Sequence, residues 1–149
     1  MVPFVTAGAG FLLAVLWFDL MFDVQTLRHD GALLPEDVLA SIARYYRRVT
    51  TDARPMNRVV AAVMLATLAA IVAEIARGEQ RAWVGWASLA LALGAIVLAG
   101  AHTVPGAVRL GSRKDTPERQ SVLARAVLRD HLCCAAAIVA LLVVQLAWG

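Results

Sequence analysis

The sequence predicts an all-α polytopic membrane protein: a four-helix transmembrane bundle with an interfacial amphipathic helix between its first and second spans. Three observations predict it. Of the 149 residues, 60% are hydrophobic and 17% charged, whereas soluble domains average about 45–50% apolar and about 25% charged. Four stretches, 1–18, 59–73, 82–108 and 131–149, contain no Asp, Glu, Lys or Arg. The basic residues between them are distributed very unevenly. The length suits a single domain, residues 1–149, and so apolar a composition excludes a disordered chain. The only cysteines, Cys133 and Cys134, are adjacent, which excludes a disulfide scaffold and a repeated CxxC zinc site.

A bilayer core about 30 Å thick takes about 20 helical residues, so the spans are expected at 3–24, 55–76, 82–103 and 130–148. No basic region precedes the first apolar stretch, so it reads as a retained span rather than a cleaved signal. In the first connection, Pro35 followed by Glu36 and Asp37 is a helix start. Val38, Ile42, Tyr45 and Val49 then repeat at helical spacing, with Arg44, Arg47 and Arg48 elsewhere on the wheel. The four apolar positions are expected to face lipid or the bundle from a helix lying in the membrane interface. Residues 77–81 allow only a tight hairpin. Thr116 and Pro117 form a cap and first helical residue, and no breaker follows until Gly149. That helix would be about 48 Å long, so its first third must stand outside the hydrocarbon.

Orientation follows from the basic residues. Arg28, Arg44, Arg47, Arg48, Arg54 and Arg58 lie in or beside the first connection. Arg109, Arg113, Lys114, Arg119, Arg125 and Arg129 lie in the third, and only Arg77 and Arg81 in the hairpin. The basic connections are expected in the cytoplasm, with both termini outside the cell membrane. Trp83, Trp86 and Trp148 then share the outer interface. The net charge of +3 reflects this bias and gives no reason to expect nucleic acid as a partner. Ala62, Ala66 and Ala70, and likewise Ala90 and Gly94, are spaced four apart, which allows close helix approach within the bundle or across a homo-oligomer.

Ionisable residues in a span are costly, and function is sought among them first. Asp19 and Asp23 lie four apart on span one. Asn57 and Arg58 open span two, His102 closes span three, and Asp130 and His131 open the membrane part of span four. Counted from the outer ends, Asp19 lies about 24 Å deep, His102 about 30 Å and His131 about 26 Å. One cytoplasmic-side layer thus collects them. Three readings of it stand side by side. In the first, Arg58 and Arg129 pair with the aspartates and the layer is structural. In the second, carboxylates and imidazoles from different helices hold a metal ion or haem. In the third, His131 or His102 moves a proton on a hydrophobic small molecule while Asp19 or Asp23 orients it; Asn57, Arg58 and Asp130 would then hold a ligand or cofactor. Glu74 and Gln145 are expected near the outer surface, and Cys133 and Cys134 as small hydrophobes.

Two family resemblances accompany these residues. The segment Thr103-Val104-Pro105-Gly106 and the later Arg129-Asp130-His131 resemble the anthrone-oxygenase-like family of small four-span membrane proteins, with Pro105 and His131 as the matching positions. Trp17-Phe18 and His29 resemble four-span haem-binding protoporphyrinogen oxidases. The resemblances imply an oxidoreductase with a metal or haem. Two function classes therefore stay open: a membrane-embedded enzyme acting at the cytoplasmic leaflet, and a non-catalytic subunit or packing protein of a larger membrane complex.

Overall fold

The computed structural model describes the backbone of residues 1–149 and the side chains of all but Arg54. Arg54, one of the basic residues of the first connection, therefore lies outside the described side chains. The chain forms helices α1 (Val2–Asp23), α2 (Glu36–Arg47), α3 (Arg54–Arg77), α4 (Ala82–Leu98), α5 (Val104–Ser112) and α6 (Pro117–Trp148). Four helical stretches are long and apolar enough to cross a membrane: Val2–Arg28, Pro55–Arg77, Ala82–Ser112 and Pro117–Trp148. The protein is thus an all-helical, four-span membrane bundle with an amphipathic helix between the first two spans.

Each long helix packs on two others. Helix α1 lies against α3 and α6, and α4 lies against the same two. This is the ring expected when short connections join antiparallel neighbours. The α3–α4 hairpin closes at Gly78, which adopts the left-handed conformation (φ 61°) that ends a helix. Apolar side chains fill the centre, among them Val5, Leu12, Ile71, Ala92, Ile138 and Leu141. Two glycines let spans approach closely. A Cβ on Gly8 would lie 2.1 Å from Thr67 Oγ1, and one on Gly85 2.6 Å from Ile75 Cγ1.

The third span does not stop at Thr103. A π-helical turn, Ala99–Thr103, carries it into α5. Proline in a helix lacks an N–H and clashes with the carbonyl four residues back. The wider turn just before Pro105 relieves that clash, so the helix continues where Pro105 alone suggests a break.

Helix α2 completes a second, smaller core with α5 and the first turns of α6. Leu34, Val38, Leu39, Ile42, Tyr46, Leu110, Ala124 and Val127 fill it. The buried stripe of α2 runs through Leu39, Ala43 and Tyr46 as well as Val38 and Ile42, whereas Tyr45 and Val49 are only half-buried. Gly111 sits at the α2–α5 crossing, where a Cβ would come within 2.7 Å of the Arg47 backbone nitrogen. The approach to α2 is strapped down by α6. Arg125 donates to the carbonyls of His29 (3.2 Å), Gly31 (2.5 Å) and Ala32 (2.9 Å), and the Leu34 amide donates to Ser121 Oγ at 2.9 Å.

Candidate functional site

The residues of the expected polar layer divide into two clusters on different faces of α6, because adjacent residues Asp130 and His131 point about 100° apart. In the first, His131 Nδ1 lies 2.6 Å from Asp23 Oδ2, and its Nε2 lies 3.7 Å from Asp19 Oδ2. Tyr46 donates its hydroxyl to Asp23 Oδ1 at 2.6 Å, and Tyr45 donates to Asp19 Oδ1 at 2.7 Å. The two Asp23 oxygens are thus each engaged, one by the Tyr46 hydroxyl and the other by the His131 ring. Asp23 is fully buried and His131 is 7% exposed. Burial, with Asp23 adjacent, pushes the Tyr46 hydroxyl far above the usual tyrosine range, and burial beside Asp19 does the same to Tyr45. Both hydroxyls therefore stay protonated and remain donors.

The second cluster joins His102 and Asp130, with Nδ1 2.5 Å from Oδ2, and Thr103 Oγ1 3.4 Å from the same oxygen. Its His102 side chain is 62% exposed on the outside of the bundle. His102 is not within reach of Asp19 or Asp23. Asn57 and Arg58 also stay out of the layer. The Asn57 side-chain amide donates to the Thr50 carbonyl at 2.9 Å and braces the turn leading into α3, while Arg58 is exposed. The aspartates are held by tyrosines and a histidine, not by the arginines Arg58 and Arg129. Tyr46 was absent from the sequence-level candidates, although Ile42 and Tyr46 stand four apart and share a helix face.

A second polar layer lies at the hairpin end, and it corrects the surface placement expected for Glu74 and Gln145, which are each 1% exposed. Gln145 Nε2 donates to Glu74 Oε2 (3.1 Å) and to Ser88 Oγ (2.9 Å), and Gln80 Nε2 donates to Gln145 Oε1 at 3.2 Å. The physical reason is tertiary. Antiparallel packing brings the end of α3, the start of α4 and the end of α6 to one level, where Gln145 bonds to Glu74 and to Ser88.

The donor sets decide what chemistry each layer can do. In the inner cluster both Asp23 oxygens, one Asp19 oxygen and His131 Nδ1 already have partners within the protein. Among the described residues, no group of three or more His, Cys, Asp or Glu side chains is placed to hold a metal ion. Cys134 is buried, with Sγ 3.6 Å from the Ala95 carbonyl, and Cys133 faces outward. The described cavities are elsewhere. A groove of about 570 Å³ runs between α1 and α3, lined by Phe4, Phe11, Ala66 and Ala69 among others, and a pocket of about 200 Å³ lies beside the hairpin.

Four membrane-crossing helices with polar residues paired between them define a multi-pass integral membrane protein whose apolar outer faces meet lipid. The model of the SHR3 chaperone family, described as ER membrane protein SH3, matches residues 3–148. The chain belongs to that family. No curated protein and no solved structure matches the chain. The family corrects the resemblance to the anthrone-oxygenase-like proteins and to the protoporphyrinogen oxidases, because it is a different one. The residues that suggested those families have other surroundings. Trp17 and Phe18 are 67% and 61% exposed on the outside of α1. Pro105 follows a π-helical turn, and His131 is tied to Asp23. Neither oxidoreductase chemistry nor metal binding finds support in the family or the geometry.

Proposed function

We propose that the protein is a non-catalytic membrane chaperone, a bundle that packs transiently against transmembrane helices of client proteins. The observation that carries this reading is the groove between α1 and α3. Small residues, Ala7, Gly8, Ala66, Thr67, Ala69 and Ala70, line it together with the aromatic Phe4 and Phe11. Small residues let a second helix approach closely in lipid, where packing rather than water exclusion drives association. A groove lined by these residues and open to lipid suits an apolar occupant such as a client helix. The family's description as a chaperone supports the same reading.

In this account the inner cluster is a fastener. Asp19, Asp23 and His131 join α1 to α6 and, through Tyr45 and Tyr46, anchor α2; His102 and Asp130 join the π-helical turn to α6. Asn57 and Arg58 have no role in ligand or cofactor binding, and residues 1–149 act as one transmembrane domain. The family's description favours the ER membrane over the cell surface. The basic connections face the cytoplasm and the termini and hairpin the opposite side, by charge bias.

The test is a deletion strain in which the aggregated and degraded fractions of its membrane proteins are measured. Wild-type protein is expected to return a set of polytopic proteins to the soluble-in-detergent fraction. The groove-filling variant A66L/A69L is expected to fail, and V143A, on the lipid-facing side of α6, to succeed. Full rescue by A66L/A69L at normal abundance would reject the groove as the working surface.

A further inference from the structure

We propose that the hairpin end of the bundle binds a primary ammonium group at Glu74 and Gln80. Glu74 is 1% exposed, yet its Oε1 has no hydrogen-bond partner among the described residues, and neither has Gln80 Oε1. Both residues line the same pocket of about 200 Å³, together with Trp86, Ile75 and Gly85. A buried carboxylate oxygen without a donor is unfavourable, so the pocket is incomplete as the chain alone builds it. Of the nearby donors, the Met1 ammonium pairs with Glu79 at 2.8 Å and Arg81 lines the same pocket as the competing donor of the chain itself; the others are committed. Gln145 spends its amide on Glu74 Oε2 and Ser88, and Gln80 spends its own on Gln145. Arg77 pairs with Glu79.

Two vacant acceptor oxygens, one of them on a carboxyl group that a bound ammonium would keep ionised, call for a donor. Calcium takes 6–8 oxygens and magnesium near-octahedral coordination, and a single carboxylate with one amide oxygen offers far too few. An ammonium needs about three acceptors. It would find Glu74 Oε1 and Gln80 Oε1, with Trp86, whose indole is of the kind that attracts cations, lining the same pocket. The volume leaves space for a short alkyl stem. The level is right for a headgroup, since Trp83, Trp86 and Trp148 cluster at this end and indoles prefer the interface; Trp83 and Trp148 touch edge to face at 5.6 Å. The amine therefore comes from a phosphatidylethanolamine-type lipid or from a free alkylamine.

Full-length protein in detergent would be analysed by native mass spectrometry and thermal shift with dioleoyl phosphatidylethanolamine, dioleoyl phosphatidylcholine and ethylammonium chloride. The wild type is expected to prefer phosphatidylethanolamine over phosphatidylcholine, or to bind ethylammonium saturably. Glu74→Gln should weaken that binding at least about tenfold, the loss expected for a hydrogen bond to a charged group. Gln80→Met, on the more exposed side of the pocket, should weaken it less and serves if Glu74→Gln folds poorly. Competition by ethylammonium assigns a free amine, and Glu74-dependent lipid binding without competition assigns the headgroup; both support the site. Equal retention of the two lipids with no response to ethylammonium would overturn it, as would a preference that survives both variants. Binding that emerges only in Arg81→Ala would also overturn it, since the Arg81 guanidinium would then be the native occupant.

Discussion

At the scale of single residues, the bond from Tyr46 to Asp23 is the one whose loss should be felt most. Tyr46→Phe removes the donor and leaves a buried carboxylate oxygen unmatched, a loss of about 1.5–3 kcal/mol for a hydrogen bond to a charged group. Thermal unfolding in detergent should show it. Combining it with Asp23→Asn should cost less than the two changes separately, because both break the same bond. Asp19, Asp23 and His131 were legible as a group because a charge inside a span is rare and helical rise converts position into depth. Depth carries no azimuth, however. It placed His102 at the same level but could not show that His102 turns outward to Asp130. Tyr45 and Tyr46 both stand at helical spacing from Ile42, and only packing on α6 decides which is buried. Glu74 and Gln145 were misplaced for the converse reason: they lie near helix ends, where snorkelling is ordinary, and only the crossing of three helices turns them inward.

At the scale of elements, two glycines make sharp predictions. Gly111→Ala places a methyl against the α2 backbone, which cannot rotate away as a side chain can. A destabilisation of about 1–3 kcal/mol is expected from such overpacking, read as faster hydrogen exchange across Glu36–Arg47 with the four spans still protected. Gly78→Ala forces a Cβ into the left-handed region and should cost about 1–2 kcal/mol, read as a lowered unfolding temperature. The α5–α6 connection gives a pH prediction. Arg109 grips Asp115 at 2.8 Å, and that hydrogen bond holds the Asp115 carboxyl below its ordinary range. A depressed carboxylate contributes stability above its unfolded pKa and loses it as pH falls through the folded value. Protection factors in 109–118, taken relative to intrinsic exchange at each pH, should therefore hold at neutral pH and fall only under clearly acidic conditions; Asp115→Asn should abolish the dependence. The helices themselves were legible from charge-free runs and from Thr116-Pro117. The continuation through Pro105 was not, since a proline ordinarily signals a stop and the compensating π-helical turn leaves no pattern in the residues. The Arg125 strap was equally hidden, because its partners are backbone carbonyls about 95 positions away.

At the scale of the molecule, the bundle holds its apolar core between two polar layers and leaves a small-residue groove open to lipid. His131 and Gln145, 14 residues apart on α6, set the layers about 21 Å apart, within the thickness of a bilayer core. The alanine spacing of span two was legible, but its use is divided: Ala70 is 7% exposed inside the bundle, while Ala66 faces the groove. Membrane orientation has its own check. A cysteine at Glu79 should react with an impermeant reagent from the lumenal or external side and one at Lys114 only from the cytoplasm.

The central claim, that the α1–α3 groove holds client helices only in passing, is tested most directly by crosslinking in time. A photoreactive residue at Ala66 would be combined with pulse-labelling of a polytopic protein that aggregates when this protein is deleted. The account predicts a crosslink from Ala66 to the newly made client that appears in the pulse and disappears through the chase, with none from Val143. A crosslink that persists undiminished would contradict it by making the protein a permanent subunit. No crosslink from Ala66, with the client still dependent on the protein, would contradict the assignment of the groove.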